Sequence, residues 1–502
     1  MSKHRFVSAA IGVALGAVLI CLSIGCRTPV RTGETLLGVL PAGWHTVGTK
    51  VSKDGLHIVQ VMVQEDEKQE MVPNGKQRVV VDGRPGPEYD GILRGWPVFS
   101  SNGKHYAYAA LKGGSRFAVI DGQPGPDYDG ILEGTPVLSQ DGDRSAYAAI
   151  KNGSWTVVVD GRPGPEYDAV SDIAFSPDGK RLAFRAEKDG AHFVVVDGRP
   201  SPAYDGTGSG TIVFSPDGKR HAYAARKGQK WLAVVDDQPG PEYDGVTAVV
   251  FSPDGKRVAY SVMAGNKWVV VVDDRPGPAY DAIVQGTLLF SPEGTRVGYI
   301  AQAGAKQLAV VDGQPGPEHD AARSLVFSPD GKRVGYIARS DTGQFAVIDG
   351  QSGPAFDRYD QGGLVFSPDS RRVAYHTISG GKMLVVVDGQ PGPLYDATRD
   401  PIFSPDSKRV AYAAWNNNEW LVVLDGEPRP ESGRTVQTMP VFSPDSKHLA
   451  YLVMEGHKWL AVVDGRSGLG YDAMPAQEPA FLGGGAIEFL ALRGDSIFHV
   501  RQ

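Results

Sequence analysis

Residues 325–338, LVFSPDGKRVGYIA, place a polar turn between two short apolar runs. Pro329, Asp330 and Gly331 supply a type I turn with glycine in the left-handed position, so the runs are expected to pair as a hairpin, strand a with strand b. A loop around Gly or Asn follows. After it comes an apolar run such as Trp268 to Val272, too continuous for a strand buried on one face and so expected to be covered on both. This is strand c. Asp and Gly then make a tight two-residue turn, and PGPEYD continues as strand d, where proline is tolerable because an outer strand can leave its N–H side unpaired. Four strands in 37 to 39 residues is the size of a propeller blade.

The phrase recurs along the chain. Twelve units are anchored at Val51, Phe99, Leu138, Phe175, Phe214, Phe251, Phe290, Phe327, Phe366, Phe403, Phe442 and Phe481, without a linker. A unit that cannot bury its apolar faces alone can do so against copies of itself, as in solenoids and propellers. From Phe99 to Phe442 each anchor is followed 22 positions later by an Asp, and from Leu138 to Phe442 the anchor spacing alternates 37 and 39. The last unit offers strand b at Ala486 to Leu492 and strand c at Ser496 to Val500, with no strand d. Thr35 to Leu40, TLLGVL, is expected to supply that edge and close the ring, which hides an aggregation-prone edge. The expected fold is therefore all-β, a β-propeller of about twelve four-stranded WD-like repeats. Propellers typically have four to eight blades, so twelve imply one wide ring or two rings of about six. The absence of a linker between Phe251 and Phe327 favours one.

The N-terminus reads MSKHRFVSAAIGVALGAVLICLSIGC, with Lys3 and Arg5 ahead of an uncharged run from Phe6 to Gly25. This is an export signal. Ser23 and Gly25 before Cys26 resemble the lipobox of bacterial lipoproteins, which implies lipidation of Cys26. The alternative is an uncleaved anchor helix, because about 18 or more apolar residues can span a bilayer. The expected organisation is a signal peptide over residues 1–26, a tether over 27–34 and the propeller over 35–502. In either case the repeats are expected outside the cytoplasm, periplasmic or at the cell surface of a bacterial envelope. Cys21 and Cys26 are the two cysteines, so the repeats hold no disulfide and no thiolate metal site. The 51 basic and 58 acidic residues leave a net charge of -7 without blocks of like charge, which argues against a nucleic-acid partner.

FSPDGKRVAY at residues 251–260, followed by an apolar strand and an Asp, resembles the WD-like propeller repeats of TolB, the periplasmic partner of the Tol-Pal envelope system. The resemblance covers residues 45–502. It implies a propeller that binds rather than catalyses, although such folds host unrelated tasks.

The search for chemistry supports the same expectation. The nucleophile elbow G-x-S-x-G of propeller-bearing peptidases is absent, and GTGSG at Gly206 to Gly210 has its serine misplaced. His57, His105 and His448 share one repeat position, where other units place Arg; whole blades apart, they cannot meet on one metal, and they are expected to be solvated. No metal, cofactor or catalytic residue is assigned. The Asp residues of PDG and DG are turn formers. Arg493, Gly494 and Asp495 spell an adhesion tripeptide by chance. Trp155, Trp231, Trp268, Trp420 and Trp459 begin strand c and are expected to pack between blades. Trp415, in AAWNNNEW, is placed in a b–c loop and expected to be exposed.

The a–b and c–d turns share one face, and the more variable b–c and d–a connections share the other, where binding is expected. Lys76, Lys230, Lys267, Lys306, Lys382 and Lys458 recur at one position there and would form a partial ring facing an anionic partner. The expected function is an exported, membrane-tethered, non-catalytic scaffold for an envelope protein or polymer, with Lys230, Lys267, Lys306, Lys382, Trp415 and Lys458 as its contact residues. The alternatives are a hydrolase or lyase with its site in the channel and a purely architectural surface protein.

Overall fold

The computed structural model describes residues 33–502 apart from 65–74, 96, 209, 358–362, 430–432, 476–477 and 484. Cys21, Cys26 and the export signal lie outside the described residues. Within them the regular elements are strands, arranged in twelve separate antiparallel sheets. Each sheet is one repeat, its strands in the order a, b, c, d. Blade 6, for instance, pairs Gly245–Phe251, Val258–Ala264, Lys267–Val272 and Arg275–Tyr280. Its PDG turn has Gly255 at φ 71, and its c–d turn has Asp273 and Asp274 at φ 49 and 60. These are the left-handed angles that the turn residues require.

The last blade is completed from the other end of the chain. Gly33–Val39 pairs antiparallel with Ser496–Arg501, with Thr35 opposite His499 and Leu36 opposite Phe498. The clasp forms where the sequence places it, but its strand begins at Gly33, two residues inside the expected tether, and ends at Val39 rather than Leu40.

The apolar core is divided among the interfaces between blades. Twelve buried clusters each draw residues from two successive blades, and the twelfth joins blade 12 to blade 1. At the midpoint, Val270 and Tyr280 of blade 6 pack with Phe290 and Tyr299 of blade 7. The chain is therefore one closed ring of twelve blades, and the option of two rings falls away. Strands a of neighbouring blades approach one another, while each strand d leans on strand b of the next blade, so strand a lines the centre and strand d the rim.

The alternation of spacing also acquires a cause. In blades 4, 6 and 8 strand a is continuous and bulged, as between Ser171 and Ala174. In blades 3, 5 and 7 the two additional residues split it into short pieces, such as Gly130–Ile131 and Val137–Leu138. Blade 10 has the short spacing but is split at Pro401, which has no N–H for the ladder.

Candidate functional site

On the turn face the repeat's polar residues fasten one blade to the next. In blades 3 to 9 the arginine after the a–b turn (Arg144, Arg181, Arg220, Arg257, Arg296, Arg333, Arg372) donates from Nε to the c–d turn Asp of its own blade at 2.7–3.1 Å. Its Nη1 donates to a turn carbonyl of the next blade at 2.5–2.8 Å. The guanidinium also lies 5.2–5.7 Å from the centre of the next blade's Phe ring. Only a planar, five-donor cation can make all three contacts. Below it the turn serine is buried and donates to the PDG carboxylate, as Ser252 does to Asp254 at 2.6 Å. That hydroxyl, followed by the backbone N–H of Lys256, holds Asp254 down at about 2.

His57, His105 and His448 correct one expectation: they are not free in solvent. Their Nδ1 atoms lie 2.8, 2.8 and 2.6 Å from Asp82, Asp121 and Asp464. They keep the arginine's contact within the blade, but an imidazole is too short for the carbonyl of the next.

On the opposite face all six recurrent lysines are ion-paired within the ring. Lys76, Lys230, Lys267, Lys306, Lys382 and Lys458 pair with Asp90, Asp244, Asp281, Asp320, Asp396 and Asp472, and each lysine stays about half exposed. The second oxygen of four of these aspartates accepts a backbone N–H from the next blade's b–c loop, at 2.7 Å from Gly113, Gly265, Gly304 and Gly494. The lysines recur because they seat an aspartate that bridges two blades, and each positive charge is locally matched.

The tryptophans divide as well. Trp155, Trp231, Trp420 and Trp459 pack against interface clusters, and Trp268 lies opposite Met263 and Tyr280. Trp415 is a correction: it lies on strand b, Val410–Asn416, half-buried, with its ring 5.6 Å from Trp420. The adhesion-like tripeptide is consumed by the clasp. Arg493 Nη2 donates to Glu34 Oε1 at 2.7 Å, and the Leu40 N–H donates to the Asp495 carbonyl at 2.8 Å. Among the described residues no group of three or more His, Cys, Asp or Glu could hold a metal.

The interface between blades 12 and 1 departs furthest from the pattern. Where blade 12 meets blade 1, Ala486 occupies the arginine position, Val51 the Phe position, and Gln60 the position that holds Tyr or Phe in strand b of every other blade. The cluster at this seam has only three fully buried residues, Ile58, Leu490 and Ile497. A cavity of about 930 Å³ opens there. Val51, Gly55, Ile58 and Gln60 line it from blade 1, and Glu478 and Leu492 from blade 12. Gln60 is 3% exposed, and its Oε1 has no hydrogen-bond partner. Sequence reading passed over these three residues because it looked for what the units share. The signal was in where units 1 and 12 depart from the rest.

The chain matches no family model and no curated protein. Solved structures similar to it include a eukaryotic initiation factor, at 16% identity over 64% of this chain and 95% of that one, with a TM-score of 0.35. A Dos1 propeller matches at 12% identity over 64% of this chain and 95% of that one, with a TM-score of 0.28. TolB from Acinetobacter baumannii matches at 13% identity over 58% of this chain and 78% of that one, with a TM-score of 0.23. At these identities the likeness concerns the fold, and the fold of this chain is a β-propeller.

Proposed function

We propose that this chain is an exported, membrane-tethered, non-catalytic scaffold that binds an envelope protein or polymer, in the manner of TolB-type propellers. The observation that carries the reading is how the charged side chains are used: arginines, aspartates and lysines recur because they join blades, while one cavity with an unpaired buried acceptor stands open at the seam. A rigid ring with a local vacancy suits recognition. The b–c face, with Lys230, Lys267, Lys306, Lys382 and Lys458, is a second surface within a partner's reach. The tether runs from residue 27 to the closing strand that begins at Gly33, held by a lipid on Cys26.

Capture from detergent-solubilised envelopes with the tagged full chain is the test. A discrete, stoichiometric partner is the expected result. Hydrolytic or lyase activity of the purified chain, together with capture of nothing, would overturn the reading. Metabolic labelling with a fatty acid should mark the native protein and not a Cys26→Ser variant; membrane attachment without label would point to an anchor helix. Changing Lys230, Lys267, Lys382 and Lys458 together to Gln should lower partner affinity while the chain stays folded, since exposed ion pairs contribute about 0 to 1 kcal/mol each. Unchanged affinity would confine recognition to the seam or the channel.

A further inference from the structure

We infer that the cavity between blades 12 and 1 receives the arginine side chain of another polypeptide. This rests on reading the chain as a binding scaffold and names the group that the scaffold captures.

Elsewhere in the ring the repeat defines an arginine seat. Arg144 donates to the carbonyls of Gly179 and Lys180 at 3.5 and 2.6 Å, Arg220 to those of Gly255 and Lys256 at 3.4 and 2.6 Å, and Arg296 to those of Gly331 and Lys332 at 3.2 and 2.8 Å. In each case the acceptors are consecutive carbonyls of the next blade's a–b turn. Blade 1 folds the same turn with the same internal hydrogen bonds. The Gly55 N–H donates to the Ser52 carbonyl at 2.9 Å, the Leu56 N–H to Asp54 Oδ1 at 3.1 Å and the His57 N–H to Ser52 Oγ at 2.9 Å. The carbonyls of Gly55 and Leu56 are thereby set as in the other blades, and Gly55, with Val51 at the Phe position, lines the cavity beside them. The preceding blade, however, offers Ala486, and among the described residues nothing donates to them.

Gln60 adds to the case. In the other blades this position carries a ring that packs on the preceding blade, as Tyr299 does on Val270 and Tyr280. At the seam it carries an amide whose oxygen is buried and unpaired. Leaving a buried acceptor without a donor is unfavourable, so the site favours an incoming donor. The Gly55 turn, the unpaired Gln60 oxygen and the carboxylates of Asp54 and Glu478 offer acceptors to the cavity, beside the hydroxyls of Thr49 and Ser52. The guanidinium, with five N–H donors in a planar fork, suits several acceptors better than the ammonium of lysine. Val51, Ile58 and Leu492 offer apolar surface for its stem. About 930 Å³ exceeds one side chain and leaves room for flanking backbone, and Lys50 and Lys53 at the rim can meet carboxylates of the incoming chain.

The test uses the full chain with N-acetyl-arginine amide as probe and its lysine and citrulline counterparts as controls, followed by ligand-observed NMR. The arginine probe should bind about tenfold more tightly than citrulline, the scale of a charge-assisted over a neutral hydrogen bond. Ala486→Arg supplies the missing side chain from within: it should abolish probe binding and raise the melting temperature. Gln60→Tyr, which restores the residue of the other blades, should also abolish binding, and Gln60→Leu should weaken it severalfold. Three results would overturn the inference: equal binding of arginine and citrulline or binding of neither, as for a cavity that holds only water; an Ala486→Arg variant that neither melts higher nor excludes the probe; and binding that appears only after Arg27 and Arg31 are changed to Gln, which would make the chain's own segment the occupant. Envelope capture separates this inference from the broader one. A partner held equally by the parent and by Ala486→Arg leaves the scaffold standing and removes the seam, whereas no partner for either removes the scaffold whatever the probe does.

Discussion

At the arginine position of the a–b turn, one side chain meets a carboxylate in its own blade, a carbonyl in the next and the face of a Phe ring. Arg257→Lys should keep the charge and lose the fork, since an ammonium cannot reach Asp273, the Thr295 carbonyl and Phe290 together. The expected cost is about 1–2 kcal/mol, read from the midpoint of urea unfolding. The converse change, His105→Arg, should raise that midpoint, because it restores a contact that the imidazole is too short to make. Glu34 gives a pH dependence. Arg493, and after it the Tyr471 hydroxyl, hold its carboxyl below the ordinary 4.5. A carboxylate held low contributes fully above its unfolded value and loses that contribution as pH falls through its folded value. The clasp should therefore loosen below about pH 4.5, read as faster hydrogen exchange at Thr35 to Val39; a Glu34→Gln variant should exchange faster at neutral pH and show no such acid limb. At this scale the turn residues were legible in the sequence, since PDG and DG state their own dihedral needs. The arginine's partners were not, because they lie 36 to 38 residues further on, in a different blade.

Strands a to d followed from local chemistry, and so did the closing strand. Leu36 faces Phe498 across the clasp and is about half exposed, so cysteines at these two positions should form a disulfide under mild oxidation. Absence of the bond in the folded protein would contradict the register. Two features of the elements escaped sequence reading. The alternating spacing was visible, but not that, in blades 3 to 8, the shorter units carry a bulged, continuous strand a and the longer ones a split strand. Trp415 looked like a loop residue because three asparagines follow it. In fact strand b runs to Asn416, and the turn is made by Asn417 and Asn418 at φ 51 and 63, leaving Trp415 opposite Trp420.

For the molecule as a whole, the question left open by the sequence was one ring or two, since both are built from identical local units. Only contacts between distant residues decide it: the cluster between blades 6 and 7 and the pairing of Gly33–Val39 with Ser496–Arg501. In a closed ring each blade is held from both sides, so deleting residues 27–40 should lower stability by about 3 kcal/mol or more, through the lost burial of Leu37 and Leu40 and the lost strand hydrogen bonds. Hydrogen exchange should rise around the whole ring. Fraying confined to blades 12 and 1 would instead describe an open solenoid in which units feel only their neighbours. The clasp also has a mechanical meaning. The strand that closes the hoop is the first strand after residue 32, so any pull transmitted through the preceding segment acts on it before it acts on any blade. Tension on that leash would strip Gly33–Val39 from its partner, open the ring at the interface with the fewest buried apolar residues, and uncover Ile58, Leu490 and Ile497. The fold thus couples how the protein is held to whether its ring stays shut.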